Sequence, residues 1–548
     1  MKVTDWISAY LVENGITRVY QLSGGMTAFL ADSIARTSKI EIISLRHEQA
    51  AGFAAEGFSR VSGVPSVAMA TSGPGATNLM TAIASSYFDS VPVVFITGQV
   101  HQNEIRKNKS QRQNGFQELD IVAMSSGVTK LSRSINSAAE VLDAFHEALK
   151  LSMSGRPGPV LLDIPINIQQ EEIFNHKSKS EGNHETNTVN FENLPRLIKD
   201  SHKPLVLAGG GIRISKTQSQ FLDFINKFKI PVVTSLMGVD SIATDSPYKI
   251  GMIGSYGNRW ANRAVMQSDL LLVLGSRLDI RQTGADIDRF KGNKNLIRID
   301  IDETEIGGRV SSDISFNSSL ETFFDFMLAI DYDCNPVHLE LLKNSKDFSD
   351  QHTQDMEQPS FDGINPSILM TLISDVFIES HGYVVDVGQH QMWAAQSLRL
   401  RDNQRFLTSG GLGAMGFSIP ASIGAWHASP GKWITILGDG CAQISMSEFQ
   451  SLKDIQPQLV VIILNNHQQG MVAQFQEENL ESRYIGTRMG YSTPNFANVA
   501  EAFGIKSFEA DSLDECRRIF KYANGLKEPV VVEVNIPQNA KALPKNAF

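Results

Sequence analysis

The stretch WITILGDGCAQISMSEFQSLKDIQPQLVVIILNNHQQGM, residues 433–471, decides how the chain is read. Its first apolar run, 433–437, stops at Gly438-Asp439-Gly440; a helical pattern follows through Leu452; a second apolar run, 459–464, stops at Asn465-Asn466. Two such runs around a helix predict parallel strands buried on both faces. Parallel neighbours would set Asp439 and Asn466 side by side at the carboxyl edge, where α/β sheets hold their ligands. One carboxylate, one amide oxygen and a main-chain carbonyl from the next loop form a hard oxygen site. That suits Mg²⁺, which keeps positions open for phosphate oxygens. Gly438 and Gly440 let backbone approach phosphates, and the helix start adds amide donors. Taken singly, GDG reads as a turn and NN as a helix cap; the specific signal is their joint placement at two strand ends.

The same pattern runs outward in both directions. Apolar runs at 64–70, 92–97, 159–164, 204–208, 270–275, 296–301 and 383–387 end at small or polar residues and alternate with helical stretches. This predicts an α/β protein of doubly wound parallel sheets. Two polar stretches, 171–193 and 335–360, read as linkers. They divide the chain into domains at 1–170, 190–335 and 360–548, and no internal repeat is visible. Across 548 residues, 49 Lys and Arg against 59 Asp and Glu leave a net charge of −10, with no basic tract. Nucleic acid and anionic membrane surfaces are therefore not expected partners. The three cysteines form no CxxC pair and cannot make a disulfide framework, which points to a reducing, cytoplasmic compartment. The apolar runs are too short for a membrane span, and the amphipathic start MKVTDWISAYLVENG does not read as a secretory signal.

Two further motifs bear on chemistry. Gly411-Leu-Gly413-Ala-Met-Gly416 fits the dinucleotide pattern GxGxxG, follows the strand-like RFLTS, and has Asp439 downstream. An NAD-dependent dehydrogenase would use it so, but that reading explains neither Asn465-Asn466 nor the N-terminal motif. In Leu45-Arg46-His47-Glu48-Gln49-Ala50-Ala51, small and apolar neighbours suggest that Glu48 starts a buried helix. A buried carboxylate beside an aromatic heterocycle could share a proton with it. Thr71-Ser72-Gly73-Pro74-Gly75-Ala76-Thr77-Asn78 then reads as a rigid glycine turn into a helix.

Through RHEQAAGFAAEGFSR, TSGPGATN, ITGQV, GFQE, SGRPGPVLLDIP, VGQHQMWAAQ, TSGGLGAMGF and LNNHQQGMV, the chain resembles, over essentially its whole length, the acetohydroxyacid (acetolactate) synthase branch of the thiamine-diphosphate (ThDP) enzymes. The resemblance implies a pyrimidine-binding, a central and a diphosphate-binding domain. It also implies an active site between the first domain of one subunit and the third of another, hence a homo-oligomer, at least a dimer. It assigns Glu48 to the aminopyrimidine, where it promotes loss of the thiazolium C2 proton. Met415 would hold the cofactor bent, and the backbone of Gly413 and Met415 would bond the pyrimidine edge. Gln389 and His390, after Gly388, match diphosphate ligands; Asp439, Asn466 and the Gln468 carbonyl match the Mg²⁺ ligands, beside Gly438 and Gly440. Gly24, Phe116 and Gln117 match pocket-lining positions. Cys441 is read as structural. In the central domain Arg156, Gly210, Gly211, Met237, Gly251, Gly275, Arg277, Asp279, Arg281, Asp300 and Ile301 resemble flavin-binding positions, with FAD as a structural relic.

The implied activity is decarboxylation of pyruvate and transfer of its two-carbon unit to a carbonyl acceptor, first a second pyruvate. The chain departs from the family at some places. Ile166 replaces a lysine, Phe475 a tryptophan tied to 2-ketobutyrate preference, and His101 a proline; Ser23 alters Pro-Gly-Gly, and a basic insert lies around 104–112. These changes raise the alternative of a nucleotide-linked keto-sugar acceptor.

Overall fold

The computed structural model describes residues 1–108, 110–173, 189–360 and 362–545. Among them, three six-stranded sheets form, and every paired neighbour is parallel. The first contains β1 (Arg18–Gln21), β2 (Glu41–Ser44), β3 (Ser66–Ala70), β4 (Val93–Gln99), β5 (Leu131–Ser134) and β6 (Val160–Pro165), in the order β2-β1-β3-β4-β6-β5. The second contains β7 (Pro204–Ala208), β8 (Val232–Thr234), β9 (Lys249–Met252), β10 (Leu270–Leu274), β11 (Asn295–Asp300) and β12 (Ile314–Asn317), in the order β12-β11-β10-β7-β8-β9. The third contains β13 (Gly382–Val385), β14 (Arg405–Leu407), β15 (Trp433–Gly438), β16 (Leu459–Asn465), β17 (Lys506–Ala510) and β18 (Val530–Asn535), in the order β14-β13-β15-β16-β18-β17.

The uninterrupted Val/Ile/Leu runs form central strands such as β10 and β16, buried along their whole length under helices on both faces. Strands absent from the sequence reading are short, mixed in polarity or at edges, as β5, β12 and β17 are. β18 was obscured by Glu533, a buried carboxylate that accepts from Asn465 Nδ2 at 2.7 Å and from the Phe496 and Ala497 amides. Numbered within themselves, the first and third sheets share one order, 2-1-3-4-6-5, although no repeat shows in the sequence. The central sheet runs 3-2-1-4-5-6, the order of dinucleotide-binding α/β folds.

The stretch 335–360 is not a plain linker. It holds the helix Leu339–Gln351, whose Leu341 and Leu342 are buried with Ala261, Ala264 and Val265 of the helix Arg259–Gln267. Its polar composition is that of one solvated face. In the other expected linker, 174–188 lies outside the described residues. Of its ends, Ile173 is buried in the first layer and Phe191 in the central core.

The first and third layers share a hydrophobic core. The helix Glu48–Ser62 lies against the helix Ser418–Ala428 at very short range. A Cβ on Gly57 would stand 2.1 Å from the Ala421 carbonyl, and one on Gly424 would stand 1.8 Å from the Ala54 carbonyl. Any side chain at either glycine would push the helices apart.

Candidate active site

The register of the third sheet delivers the oxygen cluster. Gly438 pairs with Leu464, so Asp439 and Asn466 leave β15 and β16 next to each other. The Asp439 carboxylate is buried; Oδ1 accepts from Gly440 N at 2.8 Å and Oδ2 from Gln468 N at 3.1 Å. Burial pushes its pKa up to about 6 against those hydrogen bonds, and a cation beside it would hold it ionised. Asn466 spends Nδ2 on Gln389 Oε1 at 3.2 Å. No group of three or more His, Cys, Asp or Glu able to hold a metal occurs among the described residues. The donor set at this edge is instead one carboxylate plus amide and carbonyl oxygens, which fits a hard divalent cation shared with phosphate.

β13 lies beside β15, with Val385 opposite Ile436, so the loop Gly388-Gln389-His390 opens at the same edge. A Cβ on Gly388 would come within 2.7 Å of the His390 ring, and one on Gly438 within 3.0 Å. The imidazole is thus clasped between two glycines. Burial pushes its pKa down to about 3, so it is neutral, and its buried Nε2 has no hydrogen-bond partner among the described residues. A buried polar atom in a glycine cradle at a helix start fits a phosphate oxygen.

The loop 410–416 is held from both sides. Asp89 of the first layer accepts from Gly410 N at 3.0 Å and Gly411 N at 2.7 Å. Asp386 accepts from Gly416 N at 3.1 Å and Ser418 N at 2.8 Å. Arg60, buried and paired with both Glu56 and Asp89, donates to the Thr408 carbonyl. Gly413 has φ +73°, and Met415 packs against the shared core. The dinucleotide reading of this loop fails on topology. β14 is an edge strand, and β13 separates it from β15 and Asp439, so the acidic residue does not follow the strand next to the glycine-loop strand, as the dinucleotide arrangement requires. Neither Asp89 nor Asp386 was singled out by sequence; only Asp386, at a strand end just before VGQH, carried a local signal.

The first sheet gathers its own residues. The helix begins at Glu48, which is buried; Oε2 accepts from Asn78 Nδ2 at 2.9 Å, and a Cβ on Gly75 would meet Oε1 at 3.3 Å. Gly24 packs on Thr71, where a Cβ would lie 2.4 Å from the Thr71 Cβ, and Gly73 lies under Gln117. Gln117 has φ +66°, a conformation costly for a residue with a side chain, and Phe116 beside it is 80% exposed. Glu48, Gly24 and Gln117 therefore meet at one edge through the turn 71–75. On either side of Glu48, Arg46 N donates to Glu448 at 3.0 Å, and Gln49 approaches Gly416 of the third layer. Cys441 donates to the Val387 carbonyl at 3.2 Å, and burial raises its pKa well above the usual thiol value, as befits a structural residue.

A second site lies in the central sheet. A cavity of about 540 Å³ opens where the strand order reverses between β7 and β10. Gly210, Gly211, Met237, Gly275, Arg277, Asp279, Arg281, Asp300, Ile301 and Arg156 all line it. A Cβ on Gly211 would lie 2.7 Å from the Gly275 Cα, so the two glycine turns touch. Gly251 is turned instead toward Asn258 and Trp260, while Met252 and Ile253 form the wall. Arg156 pairs with Asp302 at 3.0 Å and Glu305 at 2.7 Å, bridging the first and central layers.

The altered positions are spread differently. Phe475 is exposed, Ile166 starts the helix Ile166–Gln170, and His101 caps a short turn by accepting from Asn103 N at 3.1 Å. Just after the insert, buried Glu118 of GFQE accepts from Arg106 N, Asn114 N and Gly115 N, and within it Arg106 Nη1 donates to the Arg112 carbonyl. Lys109 lies outside the described residues. No helix among the described residues is long and apolar enough to cross a membrane.

Comparison with known proteins agrees along the chain. Residues 1–124 match the family described as thiamine pyrophosphate enzyme, N-terminal TPP binding domain. Residues 191–326 match the central domain of those enzymes, and 386–534 the C-terminal TPP binding domain. The chain is similar to a probable acetolactate synthase large subunit of Methanocaldococcus jannaschii, with 34% identity over 99% of this chain and 93% of that protein. It is similar to the acetolactate synthase large subunit of Lactococcus lactis, with 35% identity over 97% and 92%. It is also similar to the chloroplastic acetolactate synthase 2 of Nicotiana tabacum, with 33% identity over 99% and 83%.

Proposed function

The chain belongs to the thiamine pyrophosphate enzymes, among the acetolactate synthases, and from that membership we propose which of its residues perform the reaction. It is a ThDP-dependent carboligase that decarboxylates pyruvate and joins the two-carbon unit to a carbonyl acceptor. When bound, the cofactor supplies the carbon nucleophile for the keto carbon of pyruvate and takes up the electrons released with CO₂.

Asp439, Asn466 and the Gln468 carbonyl would hold Mg²⁺, which would neutralise charge on the diphosphate. The observation that supports this reading is the pairing of Gly438 with Leu464, which brings Asp439 and Asn466 off neighbouring strands, with Gly438 against a His390 ring whose Nε2 has no hydrogen-bond partner among the described residues. His390 would bind a diphosphate oxygen through Nε2 and Gln389 through its main-chain N–H at the helix start, since its side-chain N–H groups are spent on Gln474 and the Ala540 carbonyl, with Gly388, Gly438 and Gly440 leaving room. Gly413 and Met415 receive the pyrimidine; Asp89 and Asp386 keep their loop in place. Glu48 would hold and return a proton at its carboxylate for a ring nitrogen of the cofactor. Gly24, Phe116 and Gln117 line the space for the reacting carbonyls, and the acceptor is a second pyruvate. Glu118 ties the basic insert to itself, which supports a solvated loop over a phosphate-binding one.

The apolar surface at Phe116, and at Ile485 and Met489 of the third layer, which are 69% and 67% exposed, supports burial against a second copy. The active unit is then at least a homodimer. The central cavity, with touching glycine turns at a strand-order switch and three arginines, Arg156, Arg277 and Arg281, fits FAD in a structural role. The three free cysteines support a cytoplasmic setting. The test is mass spectrometry of products from pyruvate with Mg²⁺ and ThDP, with and without 2-ketobutyrate or a nucleotide-linked ketone. 2-Acetolactate from pyruvate alone is expected. No carboligation product with any acceptor would overturn the assignment.

A further inference from the structure

A side-chain amide can face a neighbour with either end unless a partner of fixed polarity decides. At the third sheet's edge the backbone of residues 540–542 decides. Ala542 N donates to Gln474 Oε1 at 3.0 Å, and the Ala542 carbonyl accepts from Gln474 Nε2 at 3.1 Å. Gln474 Oε1 also accepts from Gln389 Nε2 at 3.1 Å, and that same nitrogen donates to the Ala540 carbonyl at 3.2 Å. Gln389 must therefore show its oxygen to Asn466, whose Nδ2 donates to it at 3.2 Å. All three amides are buried. Gly470, at the start of the helix Gly470–Asn479, closes the arrangement. A Cβ there would lie 2.1 Å from Gln389 Oε1 and 2.9 Å from Asn466 Nδ2.

We infer that Gln474 is a positioning residue for the cation site: together with the backbone of residues 540–542 and through Gln389, it turns Asn466 so that Oδ1, not Nδ2, faces the cation beside Asp439. The inference rests on the metal site proposed above. An amide nitrogen turned toward a divalent cation offers it hydrogens in place of a lone pair. Neither Gln474 nor the C-terminal segment needs to touch the ion to set its affinity, as partners of metal ligands do elsewhere.

The experiment measures the Mg²⁺ concentration that half-saturates ThDP binding, read by quenching of protein fluorescence in the full-length chain. The proteins are wild type, Gln474→Leu and Gly470→Ala, with folding checked by circular dichroism. Gln474→Leu removes the relay, and Gly470→Ala displaces the Gln389–Asn466 pair. Each should raise the half-saturating Mg²⁺ about 10–100-fold, and if one variant fails to fold the other carries the test. In an Asn466→Ser background, Gln474→Leu should add less than about twofold, because the residue it orients is gone. A Gln474→Leu protein that binds Mg²⁺ within about twofold of wild type would overturn this inference alone. So would an equal loss in the Asn466→Ser background, which marks general damage. Wild-type ThDP binding that ignores Mg²⁺ would overturn the metal site and the inference with it.

Discussion

Replacing Glu48 by glutamine separates chemistry from architecture, because the two costs differ in size. Glu48 is the first residue of its helix and 7% exposed. Glutamine has the same shape, and its carbonyl oxygen can still accept from Asn78 Nδ2, now at 2.9 Å. The fold loses a negative charge at a helix N-terminus, worth about 0.3–1 kcal/mol. The melting temperature should then move by no more than about 4 °C. The reaction loses the group that exchanges a proton with the cofactor, a loss of about 10²–10⁴-fold, or about 3–5 kcal/mol of barrier. The assay is hydrogen–deuterium exchange at C2 of bound ThDP, quenched in acid and read by NMR at saturating cofactor and Mg²⁺. The variant should bind cofactor, melt near the wild-type temperature and exchange at least 100-fold more slowly. Exchange within a few-fold of wild type would refute the role of Glu48. Loss of cofactor binding in step with activity would show that its part is structural.

If the cation site proposed at Asp439 is shared with the diphosphate, Asp439→Ala should weaken Mg²⁺ and ThDP together, with partial recovery at high Mg²⁺; titration of each ligand at fixed levels of the other checks this. The purified protein should be yellow from FAD, and chemical reduction of the flavin should leave carboligation intact; absorbance during turnover checks both halves. Phe475→Trp should shift acceptor choice toward 2-ketobutyrate by about 1–3 kcal/mol, read as the product ratio in mixed-substrate competition. His427 Nδ1 is hydrogen-bonded to the buried Tyr20 hydroxyl at 3.2 Å, and burial pushes its pKa down to about 4. Its folded pKa lies below the unfolded value of about 6.5, so its neutral form favours the fold above that value. That contribution is lost as pH falls toward 4, at up to about 1.4 kcal/mol per pH unit. A His427→Asn protein should therefore lose less melting temperature than wild type between pH 7 and pH 5.

What could be read in the chain follows distance along it. GDG and NN stand at the ends of consecutive strands, so their side-by-side placement followed from the apolar runs, and Gly438 opposite Leu464 bears it out. The start of the buried helix at Glu48 was legible from its small neighbours. The anchors of the loop 410–416 were not: Asp89 lies 321 positions before Gly410, and no local pattern marks an aspartate that will cap a distant turn. Gln474 and Gln389 are 85 positions apart, and only the packing of helix ends and the C-terminal segment makes partners of them. The helix Leu339–Gln351 was missed because its apolar residues fill only one narrow stripe.

The shared strand order of the first and third sheets extends to the way the two layers pack. In each, the second strand in chain order sits at the edge and is followed by a long helix: β2 by Glu48–Ser62 and β14 by Ser418–Ala428. Those equivalent helices pack on each other through reciprocal contacts, Gly57 against the Ala421 carbonyl and Gly424 against the Ala54 carbonyl. Equivalent elements exchanging equivalent contacts is the mark of a local two-fold relation between the layers. Equivalent strand ends then carry different chemistry. After the first strand come Ser23-Gly24-Gly25 in one layer and Gly388-Gln389-His390 in the other. After the third come Thr71-Ser72-Gly73 and Asp439-Gly440; after the fourth, Val100-His101 and Asn466-His467. The first layer thus keeps the glycine turns but lacks the carboxylate and amide of the cation site. The third has no acidic residue where its long helix begins, at Ser418-Ile419-Pro420, whereas the first begins with Glu48. Each layer lacks what the other supplies. A site that needs a cation, a diphosphate cradle and a proton-carrying carboxylate therefore has to draw on a first layer and a third layer, and in the homodimer proposed above those two come from different copies.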